Sequence, residues 1–335
     1  MARVSDAAGS IGVELTPDVP ADAVGSLAAD AERAGFDRVF VSAPYNNRDP
    51  FLALSRAAAA TETIRLGPGI VNPYETHPVT LASRMATLAE QSDGRALFGL
   101  GAGDASTLGA LGIERERPLR RVLETMRVAR ALWNGERVDH DGTFRAVDAA
   151  LDYDVSPPPV YVGAQGPDML RMSAAHADGV LVNAAHPDDL AAAATRIDDG
   201  LADRAPERGA LDTVAFAGVS VDRDADAARR AARPPVAFVT AGAPREILDR
   251  HGIDPDRAAT IGDALSAGAY DDAFAAVSPA MVDAFCIAGD PADVEARLRS
   301  ALEHVDSVVA AAPLGPDRST AIDLLGTVFE RVRAP

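Results

Sequence analysis

The run Leu66-Gly67-Pro68-Gly69-Ile70-Val71-Asn72-Pro73-Tyr74 decides how this chain is read: an apolar strand breaks into two glycines and two prolines and ends on polar and aromatic side chains. Glycine takes backbone angles closed to other residues and lets a flat ligand approach the main chain, while proline removes a ladder donor. The run therefore reads as a bulged strand rather than an ordinary central one. An edge strand entering a tight turn fits the local pattern too, and only the flanking chain separates the two.

Working outward, Ile11 to Leu15 is a short apolar strand interrupted by Glu14, and a helix pattern from Ala21 to Ala34 follows, closed by Gly35. Val39 to Val41 is the second strand, ending in Ser42-Ala43-Pro44-Tyr45-Asn46-Asn47, and an alanine-rich helix runs from Pro50 to about Ala60. After the bulged strand (Ile64 to Val71) come a helix from Thr80 to Gln91 and a fourth strand, Ala96 to Leu100, which ends in Gly101-Ala102-Gly103-Asp104. The same alternation continues with strands at Val160 to Gly163, Gly179 to Asn183, within Leu211 to Val221, and Ser307 to Ala312. Two stretches depart from it: an acidic, hairpin-like insertion within about 134–158, and a helical excursion of about 224–285 with breaks expected at Pro234-Pro235, Gly242, Gly252 and Gly268. Eight evenly spaced strands alternating with helices, without a single glycine-rich nucleotide loop, predict an α/β fold: a (β/α)8 TIM barrel, one domain over 1–335 with two insertions.

Composition narrows the function classes. All 32 basic residues are arginine against 50 acidic ones, for a net charge of -18, so self-repulsion opposes binding to nucleic acid or an anionic membrane. The bias in Ala, Arg, Asp, Gly and Pro fits a GC-rich genome together with selection for a hydrated acidic surface, hence a salt-adapted organism. The opening residues Met1 to Asp6 carry no apolar leader and no later run is long enough to span a bilayer, which reads as cytoplasmic. The single Cys286 excludes an internal disulfide, and the six histidines show no metal-ligand spacing.

In a (β/α)8 barrel ligands bind beyond the C-terminal ends of the strands. Here those ends carry two carboxylates, glycine-lined walls and no histidine, which suits a planar cofactor that brings its own reactivity. Glu14 stands in an otherwise apolar strand, where desolvation favours the protonated acid, although a strand-end carboxylate bonded to backbone has the same appearance. Asp104 follows a Gly-x-Gly turn and fits equally a helix N-cap. Gly163-Ala164-Gln165-Gly166-Pro167 opens a helix with free backbone N–H groups, either an anion site or a plain helix entry.

Taken together, Leu66-Gly67-Pro68-Gly69 with Asn72-Pro73-Tyr74, Ser92-Asp93-Gly94-Arg95-Ala96, Gly101-Ala102-Gly103-Asp104 with Ala110-Leu111-Gly112-Ile113-Glu114, Tyr161 to Pro167 and Gly315-Pro316-Asp317 resemble the archaeal methylenetetrahydromethanopterin reductases of the bacterial-luciferase-like superfamily, in order and over almost the whole chain. The resemblance implies coenzyme F420, a deazaflavin, as cofactor and hydride transfer to a methylene-pterin on either methanopterin or folate, in a homo-oligomer from a halophilic archaeon. It implies a non-prolyl cis peptide near Gly69-Ile70 behind the deazaflavin ring. It also implies coenzyme contacts at Ser42, Ala43, Gly69, Ile70, Asn72 and Gly103, with the phosphate side on Gly163, Ala164, Gln165, Gly166 and Pro167. Glu14 matches the family's proton donor and Asp104 its second acidic residue. The chain departs from the family after the second strand, where Ala43-Pro44 replaces the usual Asp-His pair. Other deazaflavin or flavin oxidoreductases of the same barrel, and a non-catalytic cofactor-binding homologue, stay in competition.

Overall fold

Period-2 alternation along short, nearly all-buried strands sets the architecture. The strands are β1 (Ile11–Leu15), β2 (Arg38–Val41), β3 (Arg65–Pro68), β4 (Phe98–Gly101), β5 (Val138–Asp141), β6 (Arg145–Ala149), β7 (Val160–Ala164), β8 (Gly179–Val182), β9 (Asp212–Val221), β10 (Ile287–Gly289) and β11 (Ser307–Leu314). The structure, a computed structural model, describes residues 9–333, so Met1 to Asp6 lie outside the described residues. Parallel neighbours run β3-β2-β1-β11-β9-β8-β7-β4, and bridges Leu66 to Ala96 and Val71 to Leu100 join the two ends. A closed eight-stranded barrel results, as expected from the sequence.

The closing seam is where the bulge sits. Between the two bridges β3 advances five residues while β4 advances four, so β3 carries one extra residue. Val71 N donates to Gly99 O at 3.0 Å and Gly101 N to Val71 O at 3.0 Å, resuming the ladder beyond the bulge, and the Gly69-Ile70 peptide is cis. Glycine is required on both sides of the seam: a methyl group on Gly67 would lie 1.8 Å from Leu97 O, and one on Gly99 would lie 1.9 Å from Pro68 O.

Alternation sorts each strand into an outer row packed under the helices and an inner row filling the barrel. On β1, Ile11, Val13 and Leu15 belong to the helix-facing core, which leaves Gly12 and Glu14 inward. On β2, Val39 and Val41 face out, so Arg38, Phe40 and Ser42 form one inner column from base to mouth. The middle of the barrel is filled by Phe40, Leu97, Tyr161, Leu181, Val214 and Val309, with Ile70 and Phe216 against them. The base is polar. Asp212 accepts from Arg38 (2.7 Å), Tyr161 Oη (2.9 Å) and Ser307 Oγ (2.7 Å), and Gly12 leaves room for the Arg38 stem.

Of the departures from alternation, β5 and β6 pair antiparallel as the expected hairpin. Glu124, on helix Pro118–Trp133, holds the hairpin tip by accepting from Thr143 N and Thr143 Oγ1, both at 2.7 Å. The second insertion packs its helices around an apolar cluster of its own, including Val236, Ile261, Val277 and Met281. The break expected at Pro234-Pro235 is corrected: helix Ala225–Gly242 runs through both prolines. Proline removes one helical donor each but its fixed φ is helical, and the buried face Ala228, Ala232, Val236, Ala237 continues across the pair and holds the helix together. The six-residue helix Ala105–Ala110 starts at Asp104 and bears out its N-cap reading, while β10, which pairs with the upper end of β9, has no counterpart in the sequence reading.

Candidate active site

The inner rows of the strands deliver the mouth residues. Glu14 is 4% exposed at the end of β1. Its Oε1 accepts from Thr16 Oγ1 at 2.9 Å and its Oε2 from the backbone N–H of Ala312, on β11, at 3.0 Å. The carboxylate is thus bonded to backbone, and those bonds fix its orientation at the mouth rather than withdrawing it. One strand over, Ser42 caps the β2 column, and its Oγ is buried without a hydrogen-bond partner among the described residues. Unpaired buried polar atoms are rare and ask for a ligand or ordered water.

Across the mouth, the wall is glycine. Ile70 fills the space left by Gly101, where a methyl group would come within 2.1 Å of Ile70 Cδ1, and it also borders Gly99 and Gly163. The bulge therefore lays the Gly69-Ile70 peptide and the Ile70 side chain over Gly99, Gly101 and Gly163, with Phe40 beneath Gly69, a wall that accepts a planar ring. Asn72 follows, its Oδ1 accepting from Tyr74 N and Glu75 N at 3.1 Å each, an Asx turn that ends the strand. Gly103 (φ +71°) lies against it; a methyl group there would sit 3.1 Å from Asn72 Cγ.

Asp104 caps helix Ala105–Ala110, its Oδ1 accepting from Thr107 N at 2.8 Å and from Ser106 Oγ. Burial is the largest single influence on its carboxyl and pushes it up, yet the hydrogen bonds from Ser106 and Thr107 together hold it below the ordinary carboxylate value. Gly166 is the N-cap of helix Pro167–His176 and provides no side-chain cap, so the first N–H groups of that helix are open at the mouth. Gly163 and Ala164 lead to it from β7, and Gln165, Gly166 and Pro167 are exposed.

The structure brings Glu14, Ser42, Ile70 and Gly163 to one mouth, with Ala43, Asn72, Gly103, Asp104 and the Gln165–Pro167 turn in the loops that continue it. Thr16 and Ala312, which hold Glu14, escaped the sequence reading. Thr16 lies two residues on, a visible local signal; Ala312 donates through its backbone, which no residue type announces. An orphaned hydroxyl, a glycine-lined wall and an uncapped helix N-terminus fit a planar cofactor with an anionic tail. Among the described residues no cluster of His, Cys, Asp or Glu is arranged to hold a metal ion, and no helix is long and apolar enough to cross a membrane.

Comparison with known proteins agrees with this geometry. Residues 5–305 match the family described as luciferase-like monooxygenase. The chain is 41% identical over 321 residues to the 5,10-methylenetetrahydromethanopterin reductase of Archaeoglobus fulgidus, covering 94% of this chain and 97% of that protein. It is 39% identical to the protein of that name from Methanolobus tindarius, covering 95% and 98%. Among solved structures, the coenzyme F420-dependent tetrahydromethanopterin reductase of Methanopyrus kandleri superposes with a TM-score of 0.87 at 35% identity, covering 95% of this chain and 97% of that one. The chain belongs to the luciferase-like monooxygenase family and, within it, to the group of proteins named 5,10-methylenetetrahydromethanopterin reductase.

Proposed function

We propose that this mouth reduces a 5,10-methylene-tetrahydropterin to the methyl-pterin with a hydride from reduced coenzyme F420. The observation that carries the reading is end-to-end similarity to proteins named for that reaction, in a chain whose mouth keeps a buried carboxylate facing a glycine-walled bulge. When bound, the reduced coenzyme supplies the hydride. Ser42, Ala43 and the Gly69-Ile70 peptide would hold its ring side, with Asn72 and Gly103 shaping the edge, and the turn from Gly163 through Ala164, Gln165 and Gly166 to Pro167 would take its phosphate on open N–H groups.

Glu14 has the proton's part. Thr16 and the Ala312 N–H orient its carboxyl, and burial keeps bulk water from competing for the proton it passes to a pterin nitrogen. Asp104, the helix cap beside Gly103, would be the second acidic residue of the site. The methanopterin and folate carriers share the reacting core, and Ala43-Pro44, which gives up two polar side chains next to Ser42, also motivates a homologue that binds the coenzyme without turnover. Purified protein with reduced coenzyme F420 and each methylene-pterin in parallel tests this, read by the return of oxidised-coenzyme absorbance. Turnover is expected with one carrier at least; binding without turnover on both would sink the substrate assignment.

We further read the chain as one barrel domain with two insertions, a cytosolic enzyme of a salt-adapted, halophilic archaeon. Copies would associate through helices Pro50–Ala60 and Pro78–Gln91, where Leu52 is 67% exposed. Sedimentation in high salt tests the association: a monomer at micromolar protein would refute it.

A further inference from the structure

The N-terminal end of the barrel, opposite the mouth, gathers several arginines at one cleft. In a chain of net charge -18, a cleft of about 560 Å³ there is lined by Arg127, Arg130, Arg208 and His176 together with Asp178, Asp203 and Glu207. It adjoins a second cleft that shares Arg130 and Asp178 and is bordered by Arg65. The three carboxylates match the three arginines in number, but two of them are committed to particular partners. Asp178 is held by Arg130 at 2.8 Å, and Asp203 is engaged from outside by Arg171 at 2.9 Å. That leaves Glu207 with Arg127 and Arg208 in the lining.

Donor capacity is left over as well. A guanidinium has five N–H donors. Arg208 uses one on the His176 carbonyl at 3.0 Å, and Arg127 makes no hydrogen bond or ion pair among the described residues. Arg130 and Arg204 also bond carbonyls at the end of helix Pro167–His176, which explains why those two arginines are there but leaves Arg127 and the face of Arg208 unexplained. The mutual repulsion is felt by the group between them: burial first, then Arg127, Arg208 and Arg130, lower the His176 pKa.

We propose that this cleft is a second ligand site, which binds an oxyanion of the phosphate class through Arg127 and Arg208, at the far end of the barrel from the mouth. Guanidinium groups recognise such anions through paired N–H donors, and the anion adds to Glu207 in offsetting the like-charge repulsion between Arg127 and Arg208. The ligand is either free inorganic phosphate or the phosphate of a small metabolite, for which the cleft has room. The site is independent of the reading of the mouth.

The experiment is thermal unfolding of the full chain at fixed ionic strength in KCl, with inorganic phosphate or glycerol 2-phosphate replacing chloride, for the parent and for Arg127→Gln, Arg208→Gln and the double variant. Arg33→Gln, which removes an exposed arginine paired with Asp30 far from the cleft, controls for general salt effects. A saturable rise of about 5 °C is expected in the parent and in Arg33→Gln, reduced in each single cleft variant and absent in the double one. Whichever anion saturates at the lower concentration identifies the source. Equal rises in the parent and the double variant, or no rise with either anion, overturn the proposal. Arg127→Gln removes an exposed side chain without partners, so it folds and keeps the test decisive even if Arg208→Gln does not.

Discussion

At the scale of a residue, Glu14 concentrates the account. Its position follows from period 2 on β1: Gly12 and Glu14 share the inner face, Gly12 at the base where Arg38 needs room and Glu14 at the mouth. Replacing it with Gln keeps the shape and the bond from Ala312 N but removes the transferable proton. We expect Glu14→Gln to bind coenzyme F420 with affinity within about threefold of the parent while turnover falls about 10²- to 10⁴-fold. Near-normal turnover would take Glu14 out of the role. The sequence exposed this residue because a carboxylate inside an apolar strand is conspicuous. It hid Arg38, Asp212 and Ser307, each at the first position of its strand, because only barrel closure brings those three strand starts together.

Among the elements, the β3–β4 seam and the hairpin carry separate predictions. Gly99 is held glycine by backbone, since the Pro68 carbonyl cannot yield as a flexible side chain would. Gly99→Ala should destabilise the protein by about 1–3 kcal/mol in denaturant unfolding and disturb coenzyme binding with it. Gly166→Ala, where a methyl group meets nothing within 4 Å, should stay within about 0.5 kcal/mol of the parent. Equal losses at both sites would mean that the seam is not the constraint. The hairpin is clamped through Glu124. Burial is the largest influence on this carboxyl and opposes ionisation, but hydrogen bonds from Thr143, Arg120 and His140 outweigh it and lower the pKa from 4.5 to about 2. A folded-state pKa below the unfolded one gives stability that is present above about pH 4.5 and lost as pH falls towards 2. The stability difference between the parent and Glu124→Gln should therefore be largest near neutrality and shrink across that window; a difference that does not change with pH refutes the clamp. The seam was legible because its glycines and prolines are local signals. The clamp was not, since Glu124 sits in an ordinary helix pattern and its partners come from a hairpin tip whose docking only tertiary packing decides. The same applies to Pro234-Pro235, where a buried face outweighed two local break signals.

For the whole molecule, alternation of strands and helices made the barrel readable from one end of the chain to the other, while the polar base and the arginine-lined cleft required it folded. The net charge of -18 belongs to this scale too. Carboxylates crowded on one surface repel unless counterions screen them, so unfolding midpoints should rise steadily between about 0.1 M and 2 M KCl. Full stability at low salt would remove the case for salt adaptation. The central claim, that the mouth moves a hydride from reduced coenzyme F420 to the bridging carbon of a methylene-pterin, is tested most directly by isotope. Reduced coenzyme carrying deuterium at both C5 positions is supplied under single turnover with methylene-tetrahydromethanopterin or methylene-tetrahydrofolate, and the methyl-pterin is weighed by mass spectrometry. The account predicts one deuterium in the new methyl group; oxidised coenzyme with a methyl group free of deuterium would contradict it.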